Sequence, residues 1–209
     1  METETNVIRW SAPAVRTLDI EGRLARQLSP DTLAHVYRTA AFARDLADRH
    51  GIDPDRAELA ALVHEVADGY DDDQLLALAA QYELPLDPIE ARVPRLLHGR
   101  VGAEILRFEW GITDEGLLEA VRHHVAGAAK MGTLAKVIFL ADKLEPDRDK
   151  FYGDLDPVRQ LALSDLDAAV GRMSAWRLPQ LPLASAARPD RVLDAADTLA
   201  ELTRATWPA

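Results

Sequence analysis

The chain has 209 residues, 48% of them hydrophobic and 28% charged, and it contains no cysteine. This composition is typical of a soluble globular protein, and the lack of cysteine excludes a disulfide scaffold, a thiolate nucleophile and any metal site built on thiolates. The formal net charge of −11 disfavours nucleic acid as a partner, because a negative field repels polyanions. Any metal site must therefore use the six histidines and 35 acidic residues.

The sequence shows no targeting or membrane signal. Its start, Met1 to Thr5, is acidic and lacks the basic and apolar segments of a signal peptide. The longest apolar run, Val137 to Ala141, is far shorter than the roughly 18 residues of a membrane span. We therefore expect a cytoplasmic protein that does not contact a membrane.

Alanine and leucine dominate the chain and strand signals are nearly absent, so we predict an all-α fold. Ser29 followed by Pro30 is typical of a helix start, and Gly51 ends that helix. Asp53-Pro54 repeats the same start and begins a helix that reaches about Asp68. Because this second helix is apolar on nearly every side, it should be central.

The helical pattern continues to the end of the chain, interrupted by two groups of prolines, at 85, 88 and 94 and at 179, 182 and 189. We predict three parts of one unit, namely an extension with a first helix (1–27), the main domain (28–172), and a proline-rich connector with a C-terminal helix packed on that domain (173–209). The further predicted helices are 71–81, 99–110 ended by Gly111, one from a cap at Thr113 to about Val125, 133–145 stopped by Pro146, and 156 to about 173.

Four histidines and two carboxylates fall near core-facing surfaces of different helices or helix ends. His64 shares a stripe with small alanines, which leave room beside the imidazole, and His124 continues the stripe of Leu117 and Val121. Asp142 ends an apolar helix, where a carboxylate needs a cation or hydrogen-bond donors. The full set is His35, His64, Glu65, His98, His124 and Asp142.

Imidazole combined with carboxylate suits iron, manganese, zinc or cobalt. Six donors exceed one tetrahedral site, but two ions ~3.5–4 Å apart that share a carboxylate would fit and would activate water for attack on phosphorus. Each histidine alone is more often satisfied by hydrogen bonds, and Asp142 alone could cap a helix or pair with an arginine. His50 is expected to interact with the dipole at the C-terminal end of its helix, and His123 is expected to face water. Spacing thus leaves a metal site and structural roles both open.

The order of these residues resembles a known signature. His35, His64-Glu65 and Asp142 follow the H…HD…D pattern of the HD superfamily of metal-dependent phosphohydrolases. Three longer segments make the resemblance narrower. LHGRVGA at 97–103 resembles the LxHxPVGA segment of the YqeK family, RHHVAG at 122–127 resembles its RYHTSG, and KVIFLADKLEPDR at 136–148 resembles its KVIYVADYIEPNR. The matching segments span residues 28–170 in the same order.

The YqeK family is known as symmetrical bis(5′-nucleosyl)-tetraphosphatases, which cleave diadenosine tetraphosphate into two ADP at a di-iron site. The resemblance therefore implies an HD-domain helical bundle, a nucleotide polyphosphate or another small phosphate ester as substrate, and two metal ions, with iron expected first. A homodimer is left open. The implied metal ligands are His35, His64, Glu65, His98, His124 and Asp142, and the implied phosphate contacts are Arg122 and Arg148. The predicted catalytic residues are Glu65, which would bridge the ions or orient the water, and Asp68, which the family pattern does not supply and which is a candidate for proton transfer.

Three departures from the family pattern support alternatives. Glu65 stands where the family has aspartate, Asp68 where it has lysine, and Ala128 where it has arginine. Two phosphate-binding cations are thus replaced, and the cations that could compensate are Arg100, Arg122, Lys130 and Lys143. One alternative is an HD-fold nucleotide-binding or regulatory protein with lost or altered catalysis. Another is a hydrolase of a different small phosphate ester.

Overall fold

The computed structural model describes residues 20–177, and in this part of the chain it contains ten α-helices and no strand. The prediction of an all-α fold is therefore confirmed. The predicted connector and C-terminal helix beyond residue 177 lie outside the described residues. The helices are α1 (Ile20–Gln27), α2 (Pro30–Arg49), α3 (Pro54–Val63), α4 (Asp72–Gln81), α5 (His98–Phe108), α6 (Glu115–His123), α7 (Thr133–Leu144), α8 (Asp149–Tyr152), α9 (Asp156–Ala162) and α10 (Leu166–Arg177).

The first two predicted helix starts are correct. Oγ of Ser29 accepts a hydrogen bond from the backbone N–H of Thr32 at 3.1 Å, and the carboxylate of Asp53 caps α3 by accepting from the next two available amides. Between these helices Gly51 adopts a φ of 69°, a left-handed conformation that glycine adopts without strain. α2 and α3 consequently pack against each other along most of their length.

α3 ends at Val63, five residues before the predicted end at Asp68. Residues 64–69 form consecutive turns, closed by bonds from the N–H of Val66 to the carbonyl of Val63 (3.1 Å) and from the N–H of Asp68 to the carbonyl of Glu65 (2.8 Å). The prediction was wrong because the apolar residues at 66 and 67 are buried in the turns as they would be in a helix. His64 and Glu65 therefore lie just after the helix rather than in its last turn.

Two further boundaries differ from the prediction. The N-cap of α6 is Asp114 rather than Thr113, since its Oδ1 accepts from the N–H groups of Gly116 and Leu117 at 3.0 and 3.1 Å. The helix predicted from 156 to about 173 is two helices, because Asp165 caps a new start by accepting from the N–H of Ala168. His123 is half-buried rather than exposed to water.

α7 forms the centre of the bundle. Nearly all its side chains are buried, and it packs against α2, α3, α6, α9 and α10. Its C-terminal end comes near the beginning of α2, the turns after α3, the beginning of α5 and the end of α6, and the candidate site lies where these ends meet. Among residues 20–177, no helix is both long enough and apolar enough to cross a membrane.

α5 and α6 approach each other closely at Gly99. A Cβ at this position would lie 2.9 Å from the carbonyl oxygen of Val121 and 3.2 Å from that of Arg122. Both are backbone atoms of α6, which cannot move without shifting the helix. Because Gly99 directly follows His98, the same approach sets how far the His98 imidazole lies from α6.

We expect Gly99→Ala to lower the free energy of unfolding by about 1–3 kcal/mol, because the overpacked methyl outweighs the gain in helix propensity. Urea denaturation followed by circular dichroism measures this change. Gly116→Ala in α6 is the matched control, since the atoms nearest the added carbon belong to the side-chain ends of Arg56 and Asp114, which can move without shifting a helix. Equal effects of the two substitutions would contradict this account of the α5–α6 contact.

Candidate metal centre

The six donor residues predicted from the sequence converge on one buried region, although they come from five parts of the chain. All six are buried, with His64 and His124 almost fully enclosed. Their donor atoms form two groups, each with all atoms within 4.8 Å of one another. The first group is His35, His64, Glu65 and Asp142, and the second is Glu65, His98 and His124.

Glu65 belongs to both groups and directs one oxygen toward each. Its Oε1 lies 3.7 Å from Nε2 of His64 and 4.0 Å from Nε2 of His35. Its Oε2 lies 3.2 Å from Nε2 of His98 and 3.8 Å from Nε2 of His124. The glutamate that replaces the family's aspartate therefore still places a carboxylate between the two groups.

Three of the histidines are oriented by the same contact. Nδ1 of His64 lies 2.6 Å from the carbonyl oxygen of Ala61, three residues earlier. His98 and His124 make the equivalent contacts at 2.6 and 2.7 Å. Because a carbonyl only accepts, each Nδ1 carries a proton and donates it, so Nε2 is the ring atom directed toward the centre and the ligand atom of the neutral imidazole. Burial lowers the pKa of His64 to about 3, so this imidazole is neutral.

His35 is oriented by a carboxylate instead of a carbonyl. Its Nδ1 lies 3.1 Å from Oε1 of Glu145, whose other oxygen accepts from Nε of Arg38 at 2.8 Å. Burial acts to raise the pKa of Glu145, but the hydrogen bonds from His35 and Arg38 outweigh it and lower the pKa to about 2. Glu145 is thus ionised and accepts the Nδ1 proton, which leaves Nε2 of His35 facing the centre.

Two of the inward-facing atoms have no hydrogen-bond partner, and others crowd one another. Nε2 of His98 and Nε2 of His124 are 3.0 Å apart. Among the described residues, Nε2 of His64 and Oε2 of Glu65 are the buried side-chain atoms without a hydrogen-bond partner. A divalent cation satisfies imidazole and carboxylate acceptors together, so this donor set fits a metal.

Cationic side chains already surround the carboxylate of Asp142. The fully buried ammonium of Lys143 donates to its Oδ2 at 2.8 Å and also to the carbonyl of His124. Nη2 of Arg148 donates to its Oδ1 at 2.6 Å and lies 3.0 Å from Nε2 of His35. Burial would raise the pKa of Asp142, but Lys143, His35 and Arg148 hold it well below its usual range. Asp142 is therefore an anion.

A cavity of about 420 Å³ opens from the first donor group toward solvent. His35 and Glu65 lie at its buried end, and three cations, Arg38, Arg148 and Lys150, line its wall. Five carboxylates line it as well, so that without further cations the lining is net negative. One bound divalent ion would neutralise this charge and two would reverse its sign, which would make the cavity attractive to phosphate. The lining carboxylates are those of Asp31, Glu65, Asp68, Glu145 and Asp147.

Of the other three residues expected to act on substrate, two line the cavity and one does not. Asp68 lines the cavity, where its Oδ2 accepts from Oγ1 of Thr32 at 3.0 Å and its Oδ1 pairs with Arg95. Arg148 lines the cavity too. Arg122 does not; its Nη2 donates to Oε1 of Glu104 at 3.1 Å.

The cations suggested as compensation for the family's lysine and arginine are not in this cavity either. Arg100 binds Glu90, Lys130 lines a different cavity, and Lys143 lies beneath Asp142. Arg38 and Lys150, which were not predicted from the sequence, line this cavity instead. Arg38 follows His35 by three residues on the same helix face, a spacing from which its position could have been inferred.

The chain matches known proteins over most of its length. The HD domain family model matches residues 32–147. Symmetrical bis(5′-nucleosyl)-tetraphosphatase of Bacillus subtilis is 34% identical over 145 residues, which cover 69% of this chain and 76% of the relative. The protein of that name in Halalkalibacterium halodurans is 35% identical over 153 residues, covering 71% and 80%.

The fold is also similar to a solved structure. The crystal structure of a predicted HD superfamily hydrolase involved in NAD metabolism, from Clostridium acetobutylicum, aligns with a TM-score of 0.76 and 25% sequence identity. The alignment covers 87% of this chain and 95% of the other.

The buried Lys143–Asp142 pair should contribute to stability in the metal-free protein. We expect Lys143→Met to lower the free energy of unfolding by about 3 kcal/mol, because methionine leaves the buried anion with one cation fewer. Lys136→Met on the same helix is the control, since the 2.6 Å ion pair of Lys136 with the exposed Asp167 should contribute at most about 1 kcal/mol. Urea denaturation in the presence of a chelator measures both, and equal losses would refute this role of Lys143.

Proposed function

This chain belongs to the HD-domain family, and we propose that it hydrolyses dinucleoside tetraphosphates symmetrically, releasing two ADP from diadenosine tetraphosphate. The observation that carries the proposal is the shared carboxylate of Glu65, with one oxygen directed toward each of two groups of histidine Nε2 atoms. The similarity to relatives named symmetrical bis(5′-nucleosyl)-tetraphosphatase supports the choice of substrate.

The chain is a metal-dependent phosphohydrolase, and we infer that its site holds two divalent ions. Iron is the first candidate for both. His35, His64 and Asp142 would hold one ion and His98 and His124 the other, with Glu65 shared. Divalent metal in such a site supplies Lewis acidity, which makes water a stronger acid and neutralises phosphate charge. Manganese, zinc and cobalt suit the same donors.

The side chains of the cavity have separate proposed tasks. Arg148, Arg38 and Lys150 are placed to bind the phosphates, and Arg148 is the nearest of them to the donors, 2.6 Å from Asp142. Because Arg148 also lies 3.0 Å from Nε2 of His35, its guanidinium must turn toward the cavity when that nitrogen binds a metal.

Asp68 is the second carboxylate that we propose for catalysis. Thr32 and Arg95 each bind one of its oxygens, which fixes the carboxylate at the cavity wall. From there it can take up a proton released from water as the phosphoanhydride is attacked. The cytoplasmic location and the domain boundaries expected from the sequence remain predictions, as does the homodimer that the resemblance left open.

The activity test is release of ADP from diadenosine tetraphosphate by metal-loaded protein. We expect two ADP per substrate, loss of activity with a chelator, and a fall in kcat of at least about 100-fold in Glu65→Gln, because this substitution removes a shared ligand. Glu58→Gln in α3, whose carboxylate binds Arg44 far from the site, should leave kcat unchanged.

Other outcomes of the same test would overturn the proposal. Nucleotide binding measured by calorimetry without turnover of any nucleotide polyphosphate would identify a binding or regulatory protein. Faster turnover of phosphate monoesters than of dinucleotides would identify a hydrolase of another substrate class.

Glu145 should act on the metal through His35, because it fixes the imidazole with Nε2 toward the centre. We expect Glu145→Gln to weaken metal binding by about 10- to 100-fold. Titration of chelator-treated protein against a competing indicator measures the affinity. Asp147→Asn is the control, since Asp147 lines the same cavity but has no contact with a donor histidine. Unchanged affinity in Glu145→Gln would show that His35 does not depend on this carboxylate.

A further inference from the structure

Phe151 is the most exposed large hydrophobic side chain among the described residues, and it lines the candidate cavity. Its exposed fraction is 72%. Exposure of this size means that the ring gains little from burial, so folding alone does not explain a phenylalanine here. The other aromatic residue of α8, Tyr152, is half-buried and packs against the core. α8 is therefore anchored by Tyr152 and presents Phe151 outward.

The short helix α8 is held firmly against the end of α7. The carboxylate of Asp149 accepts from Nη1 of Arg159 at 2.7 Å and from the N–H of Leu155 at 3.1 Å. Arg159 in turn donates to the carbonyls of Leu144 at 2.7 Å and Glu145 at 3.1 Å. Phe151 is thus tied to the segment that carries Asp142 and Glu145, which fixes its place relative to the donors.

The cavity changes in character from its buried end to its exposed end. The donor residues His35 and Glu65 are buried, Arg148 is half-buried, and Lys150 and Phe151 are exposed. A nucleotide has the same order of properties, with polyphosphate at one end and a planar base at the other. Aromatic side chains bind bases by stacking, and neighbouring cations bind the phosphates.

We propose that Phe151 is the stacking platform of a nucleobase subsite at the exposed end of the cavity. The proposal rests on the proposed function, because that function requires the phosphates to lie toward the metal ligands and the base toward the exposed end of the cavity. Because every base has a π face, such a subsite favours nucleotides over base-free polyphosphates without distinguishing one base from another. It would bind one nucleoside of a dinucleoside polyphosphate while the phosphates reach Arg148 and the donors.

The test compares binding of ADP and of inorganic pyrophosphate to manganese-loaded protein by calorimetry. We expect Phe151→Ala to raise the Kd for ADP by about tenfold and to leave the Kd for pyrophosphate unchanged, because only ADP carries a base. Phe151→Trp should retain ADP binding, since indole offers a larger stacking surface. Phe108→Ala is the matched control, because Phe108 is similarly exposed (67%) but lies outside the cavity.

Kinetics give a second measurement on the same variants. Phe151→Ala should raise KM for diadenosine tetraphosphate with little change in kcat, as expected when a remote part of the substrate is bound less well. Equal weakening of ADP and pyrophosphate, no change in either, or no ADP binding by the wild type would each overturn the subsite. Failure of the proposed function is distinguishable, since it appears as wild-type protein that binds ADP but releases none from diadenosine tetraphosphate.

Discussion

The carboxylate of Glu65 between two groups of histidines is the constraint on which the rest of this structure depends. It brings one oxygen within 3.7 Å of Nε2 of His64 and the other within 3.2 Å of Nε2 of His98, in a buried region. Such an arrangement is unfavourable by itself, because it buries a carboxylate together with polar atoms that have no hydrogen-bond partner, Nε2 of His64 and Oε2 of Glu65. The fold maintains it by holding each histidine through a contact of its Nδ1 atom. A bound divalent metal would lower the cost of burying these groups together.

The fixing contacts explain why the donors lie at helix ends. His64 and His124 directly follow α3 and α6, and His98 begins α5 after a short 3₁₀ turn. In each case Nδ1 donates to the carbonyl three residues earlier. The last carbonyls of α3 and α6 lack an amide partner within the helix, so the imidazoles of His64 and His124 can take that place and be oriented at the same time. The carbonyl of Arg95 belongs to the 3₁₀ turn and also accepts from the backbone N–H of His98. A helix interior would offer no such carbonyl.

The charge distribution around the cavity is compatible with the proposed binding of phosphate by an acidic chain. Asp68 replaces a lysine of related sequences, but Arg95 pairs with it and three other cations line the cavity. Two of them, Arg148 and Lys150, belong to the segment after α7, the same segment that presents Phe151. The net negative charge of the cavity lining would attract divalent metal ions. Once they are bound, the cavity would attract phosphate. In the proposed function these cations would supply the positive charge that the family pattern places at positions 68 and 128.

The sequence by itself determined the helical class, the main helix starts and the six candidate donors, because caps, apolar periodicity and local motifs are properties of neighbouring residues. It could not locate the end of α3, since Val66 and Ala67 are buried whether the chain is helical or turning. Nor could it find Glu145 behind His35 or Arg95 beside Asp68, which are separated from those partners by 110 and 27 residues. Only the packing of the helices decided these contacts, because a side chain's partner across the bundle depends on which ends meet and not on its own surroundings in the sequence.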